Sequence, residues 1–340
     1  MQHDPTCPSP HDLTRREALA SLALAAGGTL LAASNASAMP EAAWPTRPIR
    51  WVNPYAAGGA SDGIVRIVAQ KLGERFGQPF IIDNKTGAGG NIGTDFVAKS
   101  APDGYTWIVG NTGPMAVNTT LYRNLPFDPQ KDFAPISLVM TYPNLIIANL
   151  ESGPRSIQDL VAQAKSKALA YAGNGVGTSL HLTGQMLAQA AAIKLTHVAY
   201  RGEPPGLADV MAGVVPLGIT PVSAGLPLVK AGKVRALAVT GAQRSPMLPE
   251  IVTVSEAGVA GFDANGWIGA LVPRGTPAPI VARIVTEFRA VMQLPEIQHV
   301  VKNEMASFVP ELGPEYFAAF MLAESKRWGA VVRSSDVKIE

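Results

Sequence analysis

Asn53-Pro54-Tyr55-Ala56-Ala57-Gly58-Gly59-Ala60-Ser61-Asp62 is the stretch whose reading decides the fold. Just upstream, Ile49-Arg50-Trp51-Val52 is a short β-rich run. Downstream, Ile64, Val65, Val68, Leu72 and Phe76 recur at helical spacing. Strand, glycine turn and helix therefore follow one another directly. Gly58-Gly59 permits a sharp turn and leaves space beside the backbone. Ser61 or Asp62 is placed to cap the helix. The first amides of a helix have no internal partners, and the helix dipole stands behind them, so this end suits an anion. A second stretch of the same kind, Gly173-Asn174-Gly175-Val176-Gly177-Thr178-Ser179-Leu180-His181, lies more than a hundred residues later. The two loops are expected to face each other across a cleft and hold a small carboxylate.

Outward from these loops, strands and helices alternate. Phe80-Ile81-Ile82-Asp83 reads as a second strand, followed by the glycine turn Asn84 to Gly93 and a helix toward Lys99. Tyr105 to Gly110 is a strand. Asn111 to Asn118 is a loop, with Asn111 and Thr112 within reach of the cleft. Pro135 to Asn149 is a long apolar extended run, read as a first crossing between two domains. Ser156-Ile157-Gln158-Asp159 looks like a capping box. Strands are expected at 169–172, 195–200, 215–220 and 234–240, and Asn265 to Val272 reads as the return crossing. Helices finish the chain. Alternation of this kind implies α/β lobes with mainly parallel sheets and right-handed crossovers. Ligands in such sheets bind at the carboxyl ends of strands, which places both glycine loops on functional edges; Tyr200, Thr220 and Ser223 are further candidate contacts.

Composition narrows the function. The chain has 340 residues, 47% hydrophobic, with a formal charge of +2. That length supports two domains with real cores. No Lys/Arg run suggests nucleic acid. Residues 1–38 read as a cleaved signal peptide: Arg15-Arg16, an apolar stretch from Ala18 to Ala33, and Ala36-Ser37-Ala38 as a small-x-small cleavage site. Thr14-Arg15-Arg16 also resembles a twin-arginine signal. Cleavage would remove Cys7, the only cysteine, and with it any thiol chemistry. The implied location is the periplasm, with one lobe built from 45–140 and 265–340 and the other from 141–264.

Several stretches together resemble one family. Pro45-x-Arg47-Pro48-Ile49-Arg50 and Pro54-Tyr55-Ala56-Ala57-Gly58-Gly59-x-x-Asp62 look like its opening. Asp83-Asn84-Lys85-x-Gly87-Ala88-Gly89-Gly90-Asn91-Ile92-Gly93, Pro102-Asp103-Gly104-Tyr105-Thr106, Gly175-x-Gly177-Thr178-x-x-His181-Leu182, Tyr200-Arg201-Gly202 and Lys230 to Thr240 continue it in order. On these motifs the chain resembles the Bug proteins, the TctC-type substrate-binding components of tripartite tricarboxylate transporters. The resemblance implies a type II periplasmic binding protein: two α/β lobes joined by two crossing strands, with a ligand cleft between them. It implies a carboxylate held by backbone amides and hydroxyls, and carries over to Tyr55, Ala56, Gly58, Gly59, Ser61 and Asp62 in one lobe. In the other it carries over to Gly175, Gly177, Thr178, Ser179 and His181. It implies membrane transporter subunits, or a sensor kinase, as partners, a monomer, and no cofactor. Many members have Phe-Asp where this chain has Ile219-Thr220, and an aspartate there can meet an amine. Thr220 carries no charge, so an uncharged ligand tail is expected.

Other chemistries fit the sequence less well. Neither glycine loop completes G-x-G-x-x-G, and no G-x-x-x-x-G-K-[ST] occurs. Gly177-Thr178-Ser179-Leu180-His181 and Pro221-Val222-Ser223-Ala224-Gly225 each lack one glycine of a nucleophile elbow, which leaves an exported hydrolase as the enzyme alternative. Beyond the leader, His181, His197 and His299 are scattered and give no metal spacing. His197 reads as core or edge, while His181 is placed either to donate to an anion or to cap its helix. Arg201 is placed for a carboxylate or for a surface ion pair. Tyr55 and Trp267 are placed for the cleft or for the core.

Overall fold

The computed structural model describes residues 44–303 and 312–334; the signal-peptide reading falls outside them. β1 (Ile49–Asn53) lies parallel between β2 (Phe80–Asn84) and β3 (Thr106–Asn111). α1 (Ala60–Phe76) connects β1 to β2, and α2 (Asn91–Ala98) connects β2 to β3. The stripe anticipated on α1 is buried: Ile64, Val65, Val68, Leu72 and Phe76 are all in the core, with Phe76 against Phe80 and Trp107. Gly77 ends the helix with φ 67°, donating its amide to Gly73 O.

The sixteen-residue strand β4 (Phe133–Ala148) organises the rest. Up to Pro143 it pairs antiparallel with β9 (Asn265–Pro273). From Asn144 onward it pairs antiparallel with β7 (Leu217–Pro221) and β8 (Arg235–Val239). β5 (Leu169–Asn174) and β6 (Leu195–Tyr200) extend that second side in parallel. The first sheet thus runs β2-β1-β3-β9-β4 and the second β6-β5-β7-β4-β8. These are two α/β lobes sharing one strand. Each repeats the same arrangement: the lobe's second parallel strand, then its first, then its third.

Two expectations are corrected here. The sheets are mixed rather than mainly parallel, because β9 runs against the βαβ strands of the first sheet and β4 against those of the second. And 265–272 is not itself the return crossing. β9 is paired along its length with β3 and β4 inside the first sheet, which explains its burial on both faces. The return lies upstream, where Thr240 N–H donates to Asn144 O and Ala264 N–H donates to Thr240 O.

The remaining helices are α3 (Asn118–Leu121), α4 (Ile157–Ser166), α5 (Ser179–Ala190), α6 (Glu203–Met211), α7 (Val222–Lys230), α8 (Ala278–Met292), α9 (Pro295–Asn303) and α10 (Pro314–Ser334). Ser156 caps α4 as expected, accepting from Asp159 N–H. Residues 111–118, read as a loop, are the end of β3, a π-helical turn at Gly113–Val117 and the start of α3. α10 packs over β4 and seats Phe317 and Phe320 edge-on against Trp267. Trp267 is therefore core and not a cleft residue.

Candidate functional site

The carboxyl ends of the parallel strands in both lobes meet at one cleft. A small inner pocket of about 20 Å³ is lined by Tyr55, Ser61, Asn111 and Thr112 from the first lobe, Tyr142 from β4, and Asn174, Thr178, Ser179, Leu180, Glu203 and Pro221 from the second. It opens beside an outer pocket of about 430 Å³ lined by Pro54 to Ala56, Thr86 to Gly90, Ile92, Asn174, Gly175, Thr178 and Tyr200 to Glu203. The outer pocket is of a size that suits a small organic ligand, and in this shut arrangement the inner one has room for about a water. The first turns of α1, α5 and α6, and the residue preceding α7, thus contribute to one small volume. Their dipoles make it a place where negative charge is favoured.

The lobes touch around this volume. A Cβ on Gly113 would lie 2.8 Å from Gly177 O, one on Gly89 would lie 2.4 Å from Val176 O, and one on Gly177 would lie 2.5 Å from Asn118 Oδ1. The cleft is shut, and glycines allow it to shut.

Beneath each loop sits a different anchor. α1 begins after Gly59, which is extended and has no side-chain cap. Ser61 and Asp62 lie inside the helix, so neither caps it as expected. Asp62 turns its carboxylate away from the cleft and accepts from Gly58 N–H at 3.1 Å, Arg66 Nε at 2.8 Å and Asn84 Nδ2 at 2.9 Å. Burial alone would raise its pKa, but Arg66, Asn84 and the Gly58 amide outweigh that and lower it to about 2. In the second lobe Thr178 caps α5, accepting from His181 N–H at 3.4 Å. His181 is buried. Its Nδ1 accepts from Gly177 N–H at 3.3 Å, its carbonyl accepts from the Tyr171 hydroxyl at 2.7 Å, and its ring lies 4.4 Å from that of His197. Burial, with His197 beside it, lowers the His181 pKa to about 3, and burial lowers that of His197 to about 4. Both rings are neutral at pH 7.

These contacts narrow the expected donor set. The amides of Gly58, Gly177 and Thr178 are engaged within their own lobes. Asp62 and His181 anchor the loops, and neither lines the two pockets. Ser223 lies in the first turn of α7, with Pro221 rather than Ser223 lining the pocket, and Thr220 is buried behind it against Asn174 and Glu203. The hydroxyls of Tyr55, Ser61, Thr112, Tyr142, Thr178 and Ser179 converge. Burial, together with Tyr142 and Glu203, keeps Tyr55 protonated, and burial with Glu203 does the same for Tyr142. Tyr200 lines the mouth, its hydroxyl donating to Asp209, and burial plus that carboxylate push it up to about 12. Arg201 is exposed at the same mouth. His181, the histidine nearest Ser179 in sequence, has its Nδ1 taken by the Gly177 amide.

Tyr142, Asn174 and Glu203 were not anticipated. Asn174 and Glu203 follow from strand ends: each sits at or just past the carboxyl end of a parallel strand. Tyr142 had no sequence signal beyond its place on the crossing strand. Among the described residues no group of histidines, cysteines and carboxylates is arranged to hold a metal, and no helix is long and apolar enough to cross a membrane.

Comparison with known proteins agrees with this geometry. A family model described as the tripartite tricarboxylate transporter family receptor matches residues 64–337. A protein of Pseudomonas sp. (strain P51), described as the UPF0065 protein in the tcbD-tcbE intergenic region, is 36% identical over 97% of both chains. A solved R. palustris protein with adipate is 35% identical, with TM-score 0.81 over 85% of this chain and 97% of its own. MatC from Rhodopseudomonas palustris, with bound malate, is 30% identical, with TM-score 0.79 over 85% of this chain and all of its own.

Proposed function

The chain belongs to the tripartite tricarboxylate transporter receptor family, and from that premise we propose that it is an exported solute receptor that closes on a small organic carboxylate. It then delivers the acid to membrane subunits of a tripartite tricarboxylate transporter. Residues 1–38 serve as the export signal in this reading, and the mature protein works in the periplasm. One observation carries it: helix N-termini and hydroxyls from both lobes line one cleft. The adipate and malate of the two R. palustris proteins support the same ligand class.

Three or four charge-assisted hydrogen bonds at about 1.5–3 kcal/mol each, less the cost of association, suit micromolar binding at about 8 kcal/mol. The mechanism is closure. Each lobe supplies part of the donor set, so the acid favours the shut state over the open one. No bond is made or broken.

A thermal-shift screen of organic acids followed by calorimetry tests this. A ligand present at a hundred times its Kd should add about 2.7 kcal/mol of stability. A broad panel of carboxylates that leaves the melting temperature unmoved would overturn the reading.

A further inference from the structure

The inner pocket contains an acidic group that carboxylate capture does not call for. Glu203 opens α6 just past the carboxyl end of β6, and its side chain reaches across the cleft. Its Oε1 accepts from Asn174 Nδ2 at 2.7 Å. Its Oε2 lies 2.6 Å from where a Cβ on Gly59 would stand, against the other lobe. Among the described residues it forms no ion pair. Burial pushes its carboxyl pKa up, as expected of a carboxylate taken from water without a cation.

Two buried amides add to this acceptor surface. Asn174 commits its Nδ2 to Glu203, which fixes the amide's orientation and leaves Oδ1 as an acceptor. Asn111 donates its Nδ2 to Val109 O at 2.9 Å, which fixes its orientation likewise. Asn111 is 3% and Asn174 8% exposed, and the Oδ1 of each has no donor. Buried acceptors in this state mark an unfilled requirement. Both asparagines line the pocket together with Glu203.

We propose that Glu203 is the specificity residue of the cleft, and that the ligand is a carboxylate that also bears an ammonium group. This rests on the reading that the cleft holds a carboxylate. An ammonium offers three N–H donors and a positive charge. Glu203 and the two asparagine oxygens supply acceptors from both lobes and the balancing negative charge. A dicarboxylate would set its second anion against Glu203 and two carbonyl oxygens, which offer it no counter-charge. The charge absent at Thr220 thus enters the pocket from position 203, and the uncharged tail expected from Thr220 gives way to a cationic one.

Calorimetry on the purified protein decides it, using α- and ω-amino acids, hydroxy acids and dicarboxylates of matched chain length. In the wild type an amino acid should bind at least tenfold tighter than its hydroxy and dicarboxylate counterparts. Glu203→Gln should erase that preference and strengthen dicarboxylate binding, with an unchanged melting temperature in the absence of ligand. Tighter binding of dicarboxylates to the wild type overturns the proposal while leaving carboxylate capture intact. So does a preference that survives Glu203→Gln, or equal tightening of all three classes, which would mean that Glu203 only competes for the helix ends. If no acid of any class binds, both readings fall together. The wild-type ranking stands as a test by itself should the variant not fold.

Discussion

The two lobes build the same strand–glycine turn–helix device and tie it down by opposite means. Under the first loop is an ionised knot: the Gly58 amide, Asn84 and Arg66 all donate to the Asp62 carboxylate. Under the second is a neutral one: the His181 ring takes the Gly177 amide, Tyr171 holds its carbonyl, and His197 lies against it. The helix starts differ accordingly. Gly59 brings no side chain to the start of α1, whereas Thr178 closes the start of α5 with its own hydroxyl. Both loops are thus formed before a ligand arrives, which lowers the ordering cost of binding. Only the first leaves its helix end without a side-chain cap.

The sharpest way to break this comparison is to remove the charged knot. Asp62→Ala leaves a main-chain amide, an asparagine amide and a guanidinium without their acceptor. It should cost about 3 kcal/mol of stability, read by chemical denaturation. A loss under about 1 kcal/mol, the worth of an ordinary surface contact, would mean that the first loop is not held by charge.

Next in size is the contact between the lobes. Gly113 lies in a helical turn, so alanine suits its backbone. Its Cβ would nevertheless stand 2.8 Å from Gly177 O and 3.1 Å from the Tyr55 hydroxyl. Gly113→Ala should therefore resist closure and weaken ligand binding about tenfold, or 1.4 kcal/mol, with little change in melting temperature without ligand. Full affinity by calorimetry would show that the shut state does not need this approach.

The caps separate the lobes more finely. Thr178→Ala should cost about 1 kcal/mol. Ser61→Ala, in the first turn of an uncapped helix, should stay within about 0.5 kcal/mol yet lower affinity. Equal stability losses in the two variants would erase the asymmetry between the helix starts.

Local pattern made much of this legible. The helical stripe from Ile64 to Phe76, the stop at Gly77 and the Ser156 cap depend on neighbours within a few residues, and each is found where the pattern puts it. The glycine loops were legible as strand-to-helix turns for the same reason. What their side chains do was not. Asp62 and His181 have the residue types of ligand contacts, but their partners, Asn84, Tyr171 and His197, come from other strands. Glu203 and Tyr142 enter the cleft only because the sheets bring the ends of β6 and β4 to the same place. Antiparallel pairing of β9 likewise depends on where the chain returns, which spacing alone does not encode.

The effect that tells the two knots apart most directly is their response to acid. A histidine whose folded pKa lies below its unfolded value of about 6.5 binds its proton more readily in the unfolded chain, so stability falls as pH drops below that value. His181 at about 3 and His197 at about 4 both behave this way. Between pH 7 and pH 6 each ring should remove about 0.7 kcal/mol of stability. Asp62 runs the other way in origin though not in direction. Its folded pKa of about 2 lies below the ordinary carboxylate value, so its contribution is complete at pH 5 and fades only between about pH 4 and pH 2. Acid should accordingly loosen the second lobe's loop first. His181→Asn keeps an acceptor near Nδ1 but cannot titrate, so it should flatten the denaturation-versus-pH slope between pH 7 and pH 6 by one ring's share. An unchanged slope in that variant would mean that His181 protonates as easily in the folded protein as in the unfolded chain, and the neutral knot would lose its basis.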